Sequence, residues 1–114
     1  MADKNLKFPM GEADVVALTA AGDQDITISD DMTILDGVTV EATADRTLNL
    51  TVGAGIEKGA KVFIKTKTNG TEDTIYGTGI TSANLTGVAG KTFTQEWTFD
   101  GSVFLPTGEA EQID

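Results

Sequence analysis

Short runs in which apolar and polar residues alternate one for one recur along the whole chain, and glycine-containing breaks separate them. Successive side chains leave a strand on opposite faces, so a period of two marks a half-buried strand. The clearest runs are RTLNLTV (46–52), with Leu48, Leu50 and Val52 in phase, KVFIKTKT (61–68) and TFTQEWTF (92–99). No stretch carries the i, i+3, i+4, i+7 apolar stripe of an amphipathic helix. Threonine, at 18 of 114 residues, suits a pleated surface, because its branched Cβ is stiff and its hydroxyl tolerates a wet face. The pattern predicts an all-β protein.

Further strands are expected at 13–20, 26–29, 32–35, 38–43, 71–77 and 102–106, with one more short strand within 78–90. Spacings of about 8–12 residues point to a single antiparallel β-sandwich or barrel built from short hairpins. Three Xaa-Gly dipeptides supply the turns. At Asn69-Gly70 a two-residue loop sets Ile64 against Ile75, Lys67 against Glu72 and Phe63 against Tyr76. At Asp36-Gly37 a three-residue loop sets Ile34 against Val38 and Met32 against Val40. The same loop at Phe99-Asp100-Gly101 sets Trp97 against Val103. The expected core is Val15, Ile26, Ile28, Ile34, Val38, Val40, Leu48, Leu50, Val52, Val62, Ile64, Ile75, Phe93, Trp97, Val103 and Leu105.

A chain of 114 residues is by default one domain. Residues 1–12 lack periodicity and contain Pro9 and Gly11, which predicts an extended N-terminal arm. The β-domain then spans 13–106, and 107–114 reads as an acidic polar tail.

The chain has no cysteine, so disulfides and thiolate chemistry are excluded, and no histidine, the commonest general base and transition-metal ligand. The three serines lack both a histidine to activate them and a G-x-S-x-G elbow. Acids such as Asp23, Asp25, Asp30 and Asp31 crowd into expected loops, where solvation explains them better than a hydrolytic carboxylate pair. With Asp36 they offer oxygen to calcium, but no D-x-[DN]-x-[DN]-G loop orders them. Gly53-Ala54-Gly55 followed by Gly59 has the wrong spacing for a phosphate loop. No enzyme activity, cofactor or metal is expected.

The formal charge of −10 argues against nucleic acid and anionic lipid as partners. No apolar run reaches the ~20 residues of a helical membrane span, and no signal-peptide h-region opens the chain. Phe93, Trp97 and Phe99 offer a sugar-stacking platform, but Phe93 and Trp97 share the inward phase of their strand, which favours the core.

The segment AGKTFTQEWTFDGSVFLPTG (89–108) resembles the closing hairpin of small β-domains in tailed-bacteriophage virion proteins. The likeness lies in the Ala89-Gly90-Lys91 turn, the Thr/aromatic strand from Thr92 to Phe99, the Asp100-Gly101-Ser102 turn and the short strand Val103 to Leu105. The resemblance implies a virion component: a capsid decoration protein, head fibre or tail domain, made in the host cytoplasm, with no catalytic residues to carry over. A glycan- or receptor-binding module of a fibre or adhesin is the alternative.

The arm supplies the expected docking residues. Leu6, Phe8 and Met10 alternate with Lys7 and Pro9. Residues 1–11 carry a net +1, which leaves −11 on residues 12–114. Such an arm is suited to adding a strand to a neighbour, with Phe8 as anchor; the alternative is an arm folded back over one end of its own sandwich. The expected partners are further copies of the chain, a trimer by analogy with fibres and decoration proteins, and a capsid or tail lattice protein.

Overall fold

The computed structural model describes residues 13–114; the arm with Leu6, Phe8 and Met10 lies outside the described residues. Ten strands and no helix are described. In chain order they are β1 (Asp14–Ala17), β2 (Gly22–Ile28), β3 (Met32–Ala42), β4 (Arg46–Val52), β5 (Lys61–Thr68), β6 (Asp73–Tyr76), β7 (Leu85–Thr86), β8 (Thr92–Phe99), β9 (Phe104–Pro106) and β10 (Glu111–Gln112). They form two mixed sheets that do not close into a barrel. The six-stranded sheet runs β1-β3-β5-β8-β10, with β9 also on β8; the four-stranded sheet runs β2-β4-β6-β7.

From β1 to β6 the chain alternates between the sheets at every strand. The pairs β1–β3, β3–β5, β2–β4 and β4–β6 are therefore parallel. Parallel neighbours need a long crossover, and here each crossover contains a strand of the opposite sheet. The first half of the domain is wound rather than folded into hairpins. The second half is antiparallel: β8 runs against β5 on one edge and against β9 and β10 on the other, and β7 against β6.

This winding corrects the expected antiparallel, hairpin-built arrangement. Ile64 pairs with Leu35 and Gln95, whereas Ile75 pairs with Thr47 in the other sheet. Asn69-Gly70 is thus a crossing between sheets. The expected hairpin at Asp36-Gly37 is also absent, because β3 runs straight through that dipeptide with a register shift between Gly37 and Ala42. Only Phe99-Asp100-Gly101 reverses the chain. Its register differs from expectation: Trp97 faces Pro106 and Phe99 faces Phe104, around a loop of residues 100–103. The physical reason is the glycine backbone. The hairpin turns expected at 36–37 and 69–70 require positive φ at glycine. Of the three dipeptide glycines, only Gly101 adopts it (φ 101°).

One core lies between the sheets. Leu35, Val62, Ile64, Trp97, Phe99 and Phe104 enter it from the six-stranded sheet, and Ile26, Ile28, Leu48, Leu50 and Tyr76 from the other. The Tyr76 and Trp97 rings meet edge to face at 4.9 Å across this interior. Ile26, Ile28, Leu48, Leu50, Val62, Ile64 and Trp97 are buried as expected. Val52 is partly buried and packs against the cluster. Val15, Val40 and Leu105 are exposed, and Ile34, Val38, Ile75, Phe93 and Val103 lie outside the cluster. Several of those misplacements follow from the missing hairpins, which had paired Ile34 with Val38, Met32 with Val40 and Ile64 with Ile75. The polar segment 107–114 is paired along β8, with Glu111 facing Thr94, Gln112 facing Phe93, and Ile113 N–H donating to Thr92 O.

Candidate functional site

The predicted docking side chains Leu6, Phe8 and Met10 lie outside the described residues, which resume at Ala13, just ahead of β1. β1 is an edge strand of the six-stranded sheet. The acids considered for calcium are dispersed. Asp23 and Asp25 lie on β2, and Asp36 sits within β3. Among the described residues no group of three or more acids gathers to hold a metal ion.

Asp36 has a structural use instead. Its Oδ1 accepts the Val38 and Thr39 N–H groups at 2.9 and 3.2 Å, and its Oδ2 accepts the Thr39 hydroxyl at 2.8 Å. The Val38 N–H above all, then the Thr39 hydroxyl and N–H, hold its pKa below 3.8. Asp100 does the same in the closing hairpin, accepting the Val103 and Ser102 N–H groups at 2.8 Å each, which likewise depresses its pKa. Both are aspartate-led turn motifs with the side chain as acceptor. One bends a strand and the other closes a hairpin.

Arg46, the sole arginine of the chain, opens β4 and is fully buried. Its guanidinium reaches out of the four-stranded sheet and donates to Thr19 O (2.9 Å), Val40 O (3.0 Å), Gly37 O (2.9 Å), Thr66 Oγ1 (2.8 Å) and Lys67 O (3.4 Å). It thereby ties together the loop after β1, the irregular part of β3 and the end of β5. The glycine at position 37 is required here: a Cβ would stand 2.6 Å from Arg46 Nη2. Burial lowers the Arg46 pKa, with Tyr76 and then Asp36 opposing, and burial raises that of the Tyr76 phenol well above its usual range. Arg46 Nε, Tyr76 OH, Trp97 Nε1 and Thr33 Oγ1 are buried without a hydrogen-bond partner among the described residues. Arg46 is not among the residues that alternation singles out, although a lone arginine at the start of an apolar strand is a visible signal.

The two outward faces differ sharply. On the four-stranded sheet, Asp23, Asp25 and Thr27 of β2 stand beside Thr47, Asn49 and Thr51 of β4, and Ile75 flanks Thr47. Asn49 Nδ2 donates to Asp25 Oδ1 at 3.3 Å, and Asn49 Oδ1 accepts the Thr78 N–H at 2.9 Å. On the six-stranded sheet, Val15, Ile34, Phe63 and Glu96 form one cross-strand row. Met32, Lys61, Thr98 and Leu105 form the next. Lys61 Nζ lies 3.1 Å from Glu96 and Lys67 Nζ 3.7 Å from Glu41. Phe63 was legible as outward-facing, because it shares the phase of Lys61, Lys65 and Lys67.

Three concavities lined by described residues are open depressions. One of about 490 Å³ is lined by Asp31, Gly55, Glu57, Lys58, Gly59 and Ala60, which places the rejected phosphate loop beside acids. Two others, of about 330 and 310 Å³, flank the segment between β9 and β10. In comparisons with known proteins, no family model, no curated protein and no solved structure matches this chain.

Proposed function

We propose that this protein is a non-enzymatic structural component of a tailed-bacteriophage virion, such as a capsid decoration or head-fibre protein. In this reading the paired sheets serve as a small sandwich-like body, and the protein acts by self-association and by docking on a capsid or tail lattice. The observation that carries it is the segment 89–108 that bears the resemblance. There a turn, the alternating strand β8, an Asp100-capped loop and the short strand β9 follow one another in the order typical of such closing hairpins. A trimer is the assembly that the analogy with fibres and decoration proteins implies, and the virion is the expected location.

The glycan-binding alternative relied on an aromatic platform of Trp97, Phe93 and Phe99. Trp97 is fully buried and Phe99 nearly so. No observation favours that alternative over the virion reading.

Gene position tests the proposal. A gene among capsid, portal or tail genes is expected, together with recovery of the chain in purified particles. A gene remote from any such cluster, with particles free of the chain, overturns it.

A further inference from the structure

Three surfaces compete for a use: the open edge of β2, the segment between β9 and β10, and the outer face of the six-stranded sheet. The β2 edge carries Asp23 and Asp25, the kind of charge that discourages strand pairing. The β9–β10 segment is occupied by its own contacts, with Thr107 N–H on Glu96 O and Gln95 Nε2 on Gly108 O. Among the described residues, no such contact covers the outer face of the six-stranded sheet.

Val15, Met32, Ile34, Phe63 and Leu105 gather there in two adjacent rows. None belongs to the core or packs against it. Val15 is 60% exposed and Leu105 39%. Neighbouring strands lie about 4.8 Å apart, so the row from Val15 to Phe63 covers roughly 10 Å of apolar surface. Lys61 pairs with Glu96 and Lys67 with Glu41 on this face, Lys65 stands across from Asp36 by register, and Glu109 and Glu111 line the depression beside Phe63. This face therefore gathers three of the chain's eight basic side chains among five carboxylates, so it carries both signs of charge. The opposite face, with Asp23 and Asp25, offers no positive partner to a second copy.

We infer that the outer face of the six-stranded sheet is the self-association surface, and that its occupant is the same face of further copies of this chain. The inference rests on the self-association in the proposed function and names its surface. Two copies approaching by this face bring apolar rows together and set lysines of one against carboxylates of the other, without opposing their acidic faces. The geometry serves a two-fold pair or sheets arrayed around a three-fold axis, because either places identical faces inward.

The test uses the full chain. Light scattering across a concentration series should give the wild type a mass that is a multiple of 11.9 kDa. Phe63→Glu and, independently, Val15→Lys should reduce it to the single-chain mass with an unchanged circular dichroism spectrum. Val15 is exposed enough that lysine does not disturb folding. Thr51→Glu, on the opposite face, should leave the multimer intact. A wild type that is monomeric throughout overturns the inference, and so does a multimer that survives both outer-face variants or yields to Thr51→Glu. A monomeric chain that still binds particles removes this surface while leaving the virion reading in place.

Discussion

The two sheets share one interior and present opposite exteriors. On the four-stranded sheet, alternation separates apolar from polar almost completely, and the outer positions of β2 and β4 are Asp, Thr and Asn. On the six-stranded sheet, β3 and β5 are apolar on both faces: Leu35, Val62 and Ile64 point inward, while Ile34 and Phe63 point outward. The difference teaches that burial of the interior does not exhaust the hydrophobic residues of this chain. A face left half apolar after folding is a face available for contact.

The comparison holds only if one interior serves both sheets, and Arg46 is the sharpest way to break it. Arg46→Met removes donors from the buried Gly37 carbonyl and Thr66 hydroxyl, along with three further acceptors. Unsatisfied buried acceptors cost about 1–3 kcal/mol each, so urea unfolding should show a loss of roughly 3–5 kcal/mol. Arg46→Lys should recover only part of it, because an ammonium lacks the planar fork. Leu50→Ala deletes a side chain buried at the centre of the four-stranded sheet and should cost about 2–5 kcal/mol. Equal effects from Thr47→Ala, on the outer face of the same strand, would show that the inside–outside assignment is wrong.

The two Asp-Gly dipeptides permit a finer test. Gly37→Ala drives a methyl group against Arg46 Nη2, Leu18 and the Lys65 carbonyl, and should destabilise by roughly 2 kcal/mol. Gly101→Ala meets only the flexible Lys58 side chain, but imposes a Cβ on a backbone at φ 101°. It should cost about 1 kcal/mol and weaken the closing hairpin alone. Reversed magnitudes would mean that position 37 is a turn after all.

Acid provides a smaller effect with a fixed sign. Asp36 and Asp100 have folded pKa values depressed below 3.8. Their contribution is therefore present above 3.8 and is lost as pH falls through the lower folded values. Urea midpoints should decline over that acidic window, and less steeply in Asp36→Asn and Asp100→Asn variants. A decline that begins near neutrality would point to other groups. In the proposed function, deleting residues 2–11 should weaken attachment to particles, measured by co-sedimentation. Unchanged attachment would remove Leu6, Phe8 and Met10 as docking groups.

Much of the local structure was legible. The expected strands 46–52, 61–68 and 92–99 coincide with β4, β5 and β8, because each alternates cleanly and ends at a break. Asp36-Gly37 reads in the sequence as a hairpin loop, and Asp36 does accept two backbone N–H groups there. The chain nevertheless continues through it, because Arg46 fills the space beside Gly37 and binds its carbonyl. That acceptor set comes from residues up to 27 positions away, so no local window contains it.

The sequence by itself determined the strand class, the phases of β2, β4, β5 and β8, and the inward set Ile26, Ile28, Leu48, Leu50, Val62, Ile64 and Trp97. These depend on neighbours two residues apart, and a period of two needs no knowledge of partners. Tertiary structure alone decided which strands became neighbours, and hence that β1 to β6 wind between sheets instead of doubling back. A turn sequence states that the chain may bend, but the sheet it bends toward depends on which distant surfaces cover both of its faces. The same long-range choice left Ile34 and Phe63 outside the core, on the one face where apolar side chains and paired charges stand together.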